Sequence, residues 1–194
     1  MYKNSAELKE EYGISSDALK QLELDGVSTR KVGNKKIYDV VGIFNVFNER
    51  RAKVLSNFNS IGEYSNTDIS TAFGANVQRG MKKSNYYHSL VLLHTKSGRV
   101  KYDDFWDNGV LHYTGMGVDG NQELLRENNT LAKSNDYGIA VYLFESTDGS
   151  KNYKFMGQVQ LCEEPYIHSE TDSTGKNRSV YKFPLKIKET NIID

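Results

Sequence analysis

Four runs beyond Ile69, HSLVLLH, GIAVYLFES, YKFMGQVQL and RSVYKFPLKI, are short, rich in Val, Leu, Tyr and Phe, and bounded by Gly, Asn, Asp and Ser. Runs of that length and composition are strands rather than helices. From Ile69 onward the chain is therefore expected to build a sheet, curved or closed into a barrel. One helix is expected within that region, in NQELLRENNTLAKSN, where Leu124, Leu125, Leu131 and Ala132 make an apolar stripe suited to packing on the sheet.

The earlier part of the chain has a different period. SAELKEEYG starts at Ser5, a plausible N-cap, and stops at Gly13, with Ala6, Leu8 and Tyr12 on one side. SSDALKQLELDG follows, capped by Ser15 or Ser16, with Ala18, Leu19 and Leu22 at helical spacing and a stop at Gly26. STRKVGNKKIYD reads as two short strands around Gly33-Asn34, a tight hairpin. A third helix is expected from about Val40 to Leu55. Residues 56–68, SNFNSIGEYSNTD, are polar and without sustained period, and are expected to be a linker. The chain is thus predicted to be α+β, with units at 1–55 and 69–194.

Charge narrows the function classes. Lys and Arg total 25 and Asp and Glu total 25, so the net charge is zero and general attraction for polyanions is weak. Local basic clusters exist at Arg30, Lys31, Lys35 and Lys36 and at Arg79, Lys82 and Lys83. No apolar run approaches the roughly 20 residues that span a bilayer, and MYKNSAELKEEYG lacks the layout of a signal peptide. A cytoplasmic protein without a membrane partner is expected. The one cysteine, Cys162, has no partner for a disulfide or a structural zinc site and reads as a small buried hydrophobe. The histidines show no ligand spacing, and P-loop and G-x-S-x-G motifs are absent, so neither a metal, a cofactor nor a catalytic residue is expected.

KYDDFWDNGVLHYTGMGVDGNQ, Lys101–Gln122, crowds rings and carboxylates around a Gly-punctuated turn. A core would accept the rings and reject the acids, since an unpaired buried carboxylate is costly. A pocket for a flat polar ligand would use both. A nucleobase fits: rings stack on any base, and a carboxylate accepts from the exocyclic amine of cytosine. The bland alternatives are packing of Tyr102 and Tyr113 on a sheet face and Asp caps on the Asn108-Gly109 turn.

Two resemblances follow. GISSDALKQLELDG and TRKVGNKKIYDVVGIFNVF resemble the excisionase and MerR-like winged helix-turn-helix group over about Ser5–Arg51. That likeness implies a second helix entering the major groove through Ser16, Lys20 and Gln21, with Arg30, Lys31, Lys35 and Lys36 on phosphates. YDDFWDNGVLHYTGMG, with DGNQ, NNTLAKSN and YKFPLKI, resembles the SRA (SET- and RING-associated) domain over about Thr71–Ile187. The likeness is to its branch in bacterial McrA-type, modification-dependent HNH restriction endonucleases, and implies a PUA/SRA-like curved β-barrel with flanking helices that flips modified cytosine out of DNA.

Carried over residue by residue, the SRA likeness makes Tyr102 and Tyr113 the stacking rings, with Trp106 as an alternative ring. Asp104 would read the base edge, with Asp103 and Asp107 as alternatives, and Thr114 would line the same pocket. The loop Phe73–Asn85 would approach the groove, with Gln78, Arg79, Lys82 and Lys83 filling the flipped base's space or holding phosphates. The implied function is a reader of 5-methyl or 5-hydroxymethyl cytosine in duplex DNA, the recognition part of a restriction system in phage defence. Its nuclease would come from another domain or subunit. The competing expectation is a winged-helix transcriptional regulator whose β domain binds a small ligand or mediates dimerisation.

Overall fold

The computed structural model describes residues 1–76, 80–95, 102–146, 152–172 and 174–189. The first unit is built from β1 (Tyr2–Asn4), α1 (Ser5–Tyr12), α2 (Ser16–Leu24), β2 (Thr29–Val32), β3 (Lys35–Asp39) and α3 (Val40–Leu55). Asn4, rather than Ser5, caps α1: its side chain accepts from the Ala6 and Glu7 amides while Glu7 accepts from the Asn4 amide. That reciprocal pair satisfies amides that would otherwise lack partners. Ser15 caps α2. The hairpin forms at Gly33-Asn34 as anticipated, and β1 joins it on β3, giving a three-stranded sheet in the order β1-β3-β2. Leu8, Ile14, Leu19, Leu22, Tyr38, Ile43 and Phe47 fill its core.

The remaining elements are β4 (Glu63–Ser65), α4 (Asn66–Phe73), β5 (Met81–Ser84), β6 (Ser89–Thr95), β7 (Phe105–Asp107), β8 (Val110–Thr114), α5 (Arg126–Ala132), α6 (Ser134–Tyr137), β9 (Ala140–Ser146), β10 (Asn152–Leu161), β11 (Tyr166–Thr171) and β12 (Asn177–Ile187). They make one nine-stranded sheet in the order β5-β6-β9-β10-β12-β8-β7, with β4 on β10 and β11 on β12. Only β6 and β9 pair in parallel; the other ladders among the described residues are antiparallel. The anticipated barrel does not close, because among the described residues no ladder joins β5 to β7.

Alternation along β6 and β9 divides two cores between the two sheet faces. Leu90, Leu92, Val141 and Leu143 meet Leu111, Leu131, Phe183 and Leu185 on one face. Val91, Tyr142 and Phe144 meet Val54, Phe58, Ile69 and Phe73 on the other. The strands are buried on both sides, which explains their nearly continuous apolar runs.

Two local expectations are corrected. Part of the segment read as a linker, 63–65, is β4, and α4 follows directly, started by a Ser65–Asp68 capping box and ended by Gly74 in the left-handed conformation. The predicted helix over residues 121–135 begins only at Arg126. Gln122 is buried in side-chain hydrogen bonding, and Leu124 and Leu125 lie exposed instead of on the sheet.

The long helix α3 joins the units. Val54 enters the second sheet core, Arg50 donates to the Tyr86 carbonyl at 2.6 Å and pairs with Asp25, and the Phe47 ring stacks on His88 at 4.8 Å. Gly13 permits the approach of α1 to α6, since a Cβ there would lie 2.8 Å from the Tyr137 ring.

Candidate functional site

The aromatic and acidic stretch forms β7, β8 and the segments beside them. Asp104 precedes β7, and its Oδ1 accepts from the Thr114 backbone amide at 2.7 Å. Desolvation pushes the Asp104 carboxyl above its ordinary range, opposed by hydrogen bonds from Thr114 and by the charges of His94 and Lys182. Thr114 is buried and its hydroxyl accepts from Lys182 Nζ at 2.8 Å.

Lys182 is the hub. Its side chain is fully buried, and its ammonium also donates to Glu170 Oε1 at 2.8 Å and to the Asp103 carbonyl. The other Glu170 oxygen accepts from Arg178 at 3.3 Å, and Arg178 donates to the Gly117 carbonyl at 2.6 Å. Burying three charges is tolerable only when each is paired and hydrogen-bonded, and here the network is continuous from Thr114 to Gly117. Register makes it possible: Lys182 stands opposite both Thr114 on β8 and Tyr166 on β11.

Tyr102 covers the same region. It is half-buried, its hydroxyl accepts weakly from the Gly117 amide at 3.4 Å, and desolvation raises its phenol, with Asp104, Glu170 and Arg178 all near enough to act on it. Tyr113 and Thr114 are neighbours in an extended strand and point to opposite sides. The Tyr113 ring joins the Leu111 and Leu143 core, its hydroxyl donates to the Leu93 carbonyl at 3.2 Å, and burial raises its phenol well above normal, reinforced by Asp104 and Tyr102.

Trp106 donates its indole N–H to Glu145 Oε2 at 2.9 Å, and the same oxygen lies 2.7 Å from His94 Nδ1. His94 and Glu145 are opposite each other across the parallel β6–β9 pair. Thus Asp104, Thr114 and Tyr102 form one neighbourhood, Tyr113, expected as a stacking ring, is turned into the core behind it, and Trp106 borders it through a separate buried pair. The turn after Thr114 is braced as well. Gln122 donates to the Gly115 and Gly117 carbonyls and accepts from the Tyr181 amide, while Asn128 bonds both backbone groups of Met116. A Cβ at Gly115 would lie 2.6 Å from Gln122 Oε1 and 3.1 Å from Asn128 Oδ1, so a larger residue there would displace the side chains that brace the turn.

The other candidates are dispersed. Asp103 and Asp107 are exposed, and Asp107 accepts from the Asn108 side chain at the turn. Gln78 and Arg79 lie outside the described residues. Lys83 is exposed on β5, but Lys82 is buried, contrary to its expected place at a phosphate. Its ammonium donates to the Asn76 carbonyl at 2.8 Å, and desolvation lowers it to about 8. On β5 Met81, Lys82 and Ser84 are all covered, and Lys83 alone is exposed.

On the first unit Lys20, Arg30, Lys31, Lys35 and Lys36 are all exposed. Lys20 pairs with Asp17 at 3.1 Å and Lys36 with Glu23 at 2.8 Å, and Arg30 lies 4.4 Å above the Tyr2 ring. Lys31 and Lys35 make no ion pair among the described residues. Among those residues no group of three His, Cys, Asp or Glu is placed to hold a metal ion, and no helix is long and apolar enough to cross a membrane.

Sequence reasoning missed Lys182, Glu170, Arg178, His94 and Glu145. A signal was present for Lys182, a lone charge inside the apolar run YKFPL. Its partner Glu170, on another strand, could be found only from register.

Residues 62–192 match the family model described as ScoMcrA-like, SRA domain. Among solved structures, the phosphorothioation-dependent Type IV restriction endonuclease ScoMcrA matches at TM-score 0.56 and 15% identity, over 66% of this chain and 28% of that one. The sulfur binding and SRA domains of ScoMcrA, complexed with phosphorothioated DNA, match at TM-score 0.55 and 17% identity, over 66% and 39%. KRYPTONITE in complex with mCHH DNA, H3(1-15) peptide and SAH matches at TM-score 0.50 and 18% identity, over 76% and 39%. This chain therefore spans well under half the length of these proteins. No curated protein matches it.

Proposed function

The chain belongs to the ScoMcrA-like SRA domain family, and from that premise we propose that it reads modified cytosine, 5-methyl or 5-hydroxymethyl, in duplex DNA by extruding the base from the helix. The observation that carries this reading is the junction of Asp104, Thr114 and Tyr102: a carboxyl, a hydroxyl and a half-buried ring held together on a braced glycine turn. Solved relatives hold phosphorothioated or methylated DNA, which supports a DNA ligand bearing a chemical mark.

Asp104 accepts the exocyclic N4–H of cytosine, the one donor that base offers on its pairing edge. Tyr102 supplies a stacking face, Tyr113 closes the pocket from the core, and Trp106 forms the wall anchored by Glu145. Extrusion costs a few kcal/mol, so these contacts need to be preformed; the Lys182–Glu170–Arg178 network fixes the strand that carries them. Residues 1–55 dock on the flanking duplex as a winged helix-turn-helix, with Lys31 and Lys35 the cations freest to reach phosphates. Residues 56–68 join that unit to the reader at 69–194. The chain itself does not cleave; a nuclease domain or subunit acts on what it marks, in the cytoplasm, as part of a restriction system.

A competition assay between methylated and unmodified duplexes tests the reading. Asp104→Ala is expected to remove discrimination while leaving weak duplex binding intact; undiminished discrimination in that variant would overturn it.

A further inference from the structure

On the sheet face opposite the Leu90–Leu143 core, between α3, α6 and strands β9 and β10, lies a cleft of about 580 Å³. It is lined by Arg51, Asn48, Ser134, Tyr142, Gln158 and Lys188 among others, and no Asp or Glu is among its lining residues. Its size falls in the ordinary range for small-molecule sites.

Two buried groups in its wall lack, among the described residues, the partner their chemistry calls for. Arg51 is 8% exposed, and its guanidinium meets only neutral acceptors: Asn48 Oδ1 at 2.6 Å and the His88 carbonyl at 3.4 Å. No described carboxylate pairs with it. Isolated buried charge is expensive, and a cation kept in such a place is best explained by an anion that joins it. Desolvation correspondingly holds the Arg51 guanidinium below its usual range. Ser134 is 1% exposed and its Oγ has no hydrogen-bond partner among the described residues. Such orphans are rare in folded proteins and call for a missing ligand or water.

We propose that this cleft binds a phosphate monoester of about mononucleotide size. The Arg51 fork and the Ser134 hydroxyl hold the phosphate, with Lys188 at the rim. A phosphate suits a wall that carries a guanidinium, a hydroxyl and an ammonium better than a carboxylate does, because it offers more acceptor oxygens. The amides of Gln158 and Asn48 provide polar contacts for the body of the molecule, and Leu55, Ile139 and Ala140 an apolar wall. A duplex backbone is the less suitable source of phosphate, since Arg51 is too recessed to reach a strand lying on the surface. Occupancy would tie α3 to the sheet, joining the two units through a small molecule. This site is independent of the base pocket, which involves β8 and β12.

The test is calorimetric titration of the chain with inorganic phosphate, nucleoside 5′-monophosphates, succinate and an unmodified duplex. Saturable binding of a monophosphate, at least tenfold tighter than succinate, is expected. Ser134→Ala removes one hydrogen bond to a charged ligand and should weaken binding about tenfold or more. Gln160→Glu, an exposed change at the cleft, should weaken it similarly by repulsion. Neither should alter binding of methylated duplex. Absence of saturation by any phosphate compound up to about 10 mM, equal binding by wild type and both variants, or binding of the duplex alone at this cleft would overturn the proposal.

Discussion

Acidification should loosen the seam between the two units through His88. Its ring is 6% exposed, stacked on Phe47 and edge-on to Phe44, and its Nε2 is 2.9 Å from the Tyr137 carbonyl. Arg51 and Lys83 are the nearby charges, both repelling a proton. Burial dominates, and the ring takes up a proton only near pH 4 against 6.5 in an unfolded chain. The unfolded state therefore binds more protons between those limits, so stability falls as pH falls. His88 contributes fully above pH 6.5, and its contribution is gone by about pH 4. At about 1.36 kcal/mol per pH unit the full loss is roughly 3 kcal/mol, and between pH 7 and pH 5 it is about 2 kcal/mol. The comparison variant is His88→Asn, because His88 has φ 48, a conformation asparagine tolerates better than most residues. Urea unfolding of both proteins from pH 7.5 to pH 4.5 separates this group from the carboxylates, which titrate alike in each. The variant is expected to be less stable at pH 7, having lost its stacked ring, but flatter with pH. Parallel stability curves for the two proteins would refute the assignment.

Other consequences are equally direct. Tyr102→Ala should lower affinity for modified duplex by about 1–3 kcal/mol, the worth of one stacked base, with little change for unmodified duplex in the same titration. Lys182→Met strands Glu170 beside Arg178 alone and should cost roughly 3–5 kcal/mol in urea unfolding; adding Glu170→Gln should recover part of that loss. Discrimination by the Asp104 carboxylate should decline as pH falls into its raised range, and measured binding ratios for Asp104→Asn should not follow that decline. Lys31→Ala with Lys35→Ala should flatten the plot of log affinity against log salt by about one unit of slope for each phosphate these lysines neutralise, with modified-base preference retained.

What the sequence reveals here is set by range. The capped helices α1 and α2, the Gly33-Asn34 hairpin and α3 follow from local period and turn chemistry, and all lie where the sequence places them, within a residue or two. The α4 helix is equally local, with Ser65, Asp68 and Gly74 in place, but its polar composition resembles a linker. Residues 121–125 mislead for the opposite reason: a helical stripe is present, yet the Gln122 side chain is more valuable tying Gly115 to Tyr181 across the sheet. The nearness of Asp104 to Thr114 is expected from the family likeness. The buried ions beneath them depend on pairings between residues 12 and 79 positions apart, Lys182 with Glu170 and with Asp103, and no window along the chain contains that information. Lys82 marks the same boundary, since its basic cluster carries no sign of which side of β5 it occupies.

The most direct test of the central claim is a titration of the chain against matched duplexes carrying cytosine, 5-methylcytosine or 5-hydroxymethylcytosine at one fixed salt concentration. A 2-aminopurine beside the target base reports extrusion. Tighter binding of a modified duplex accompanied by a rise in fluorescence is the predicted result. Equal affinity for all three duplexes with unchanged fluorescence would contradict it and leave the Tyr102–Asp104–Thr114 junction as structure alone.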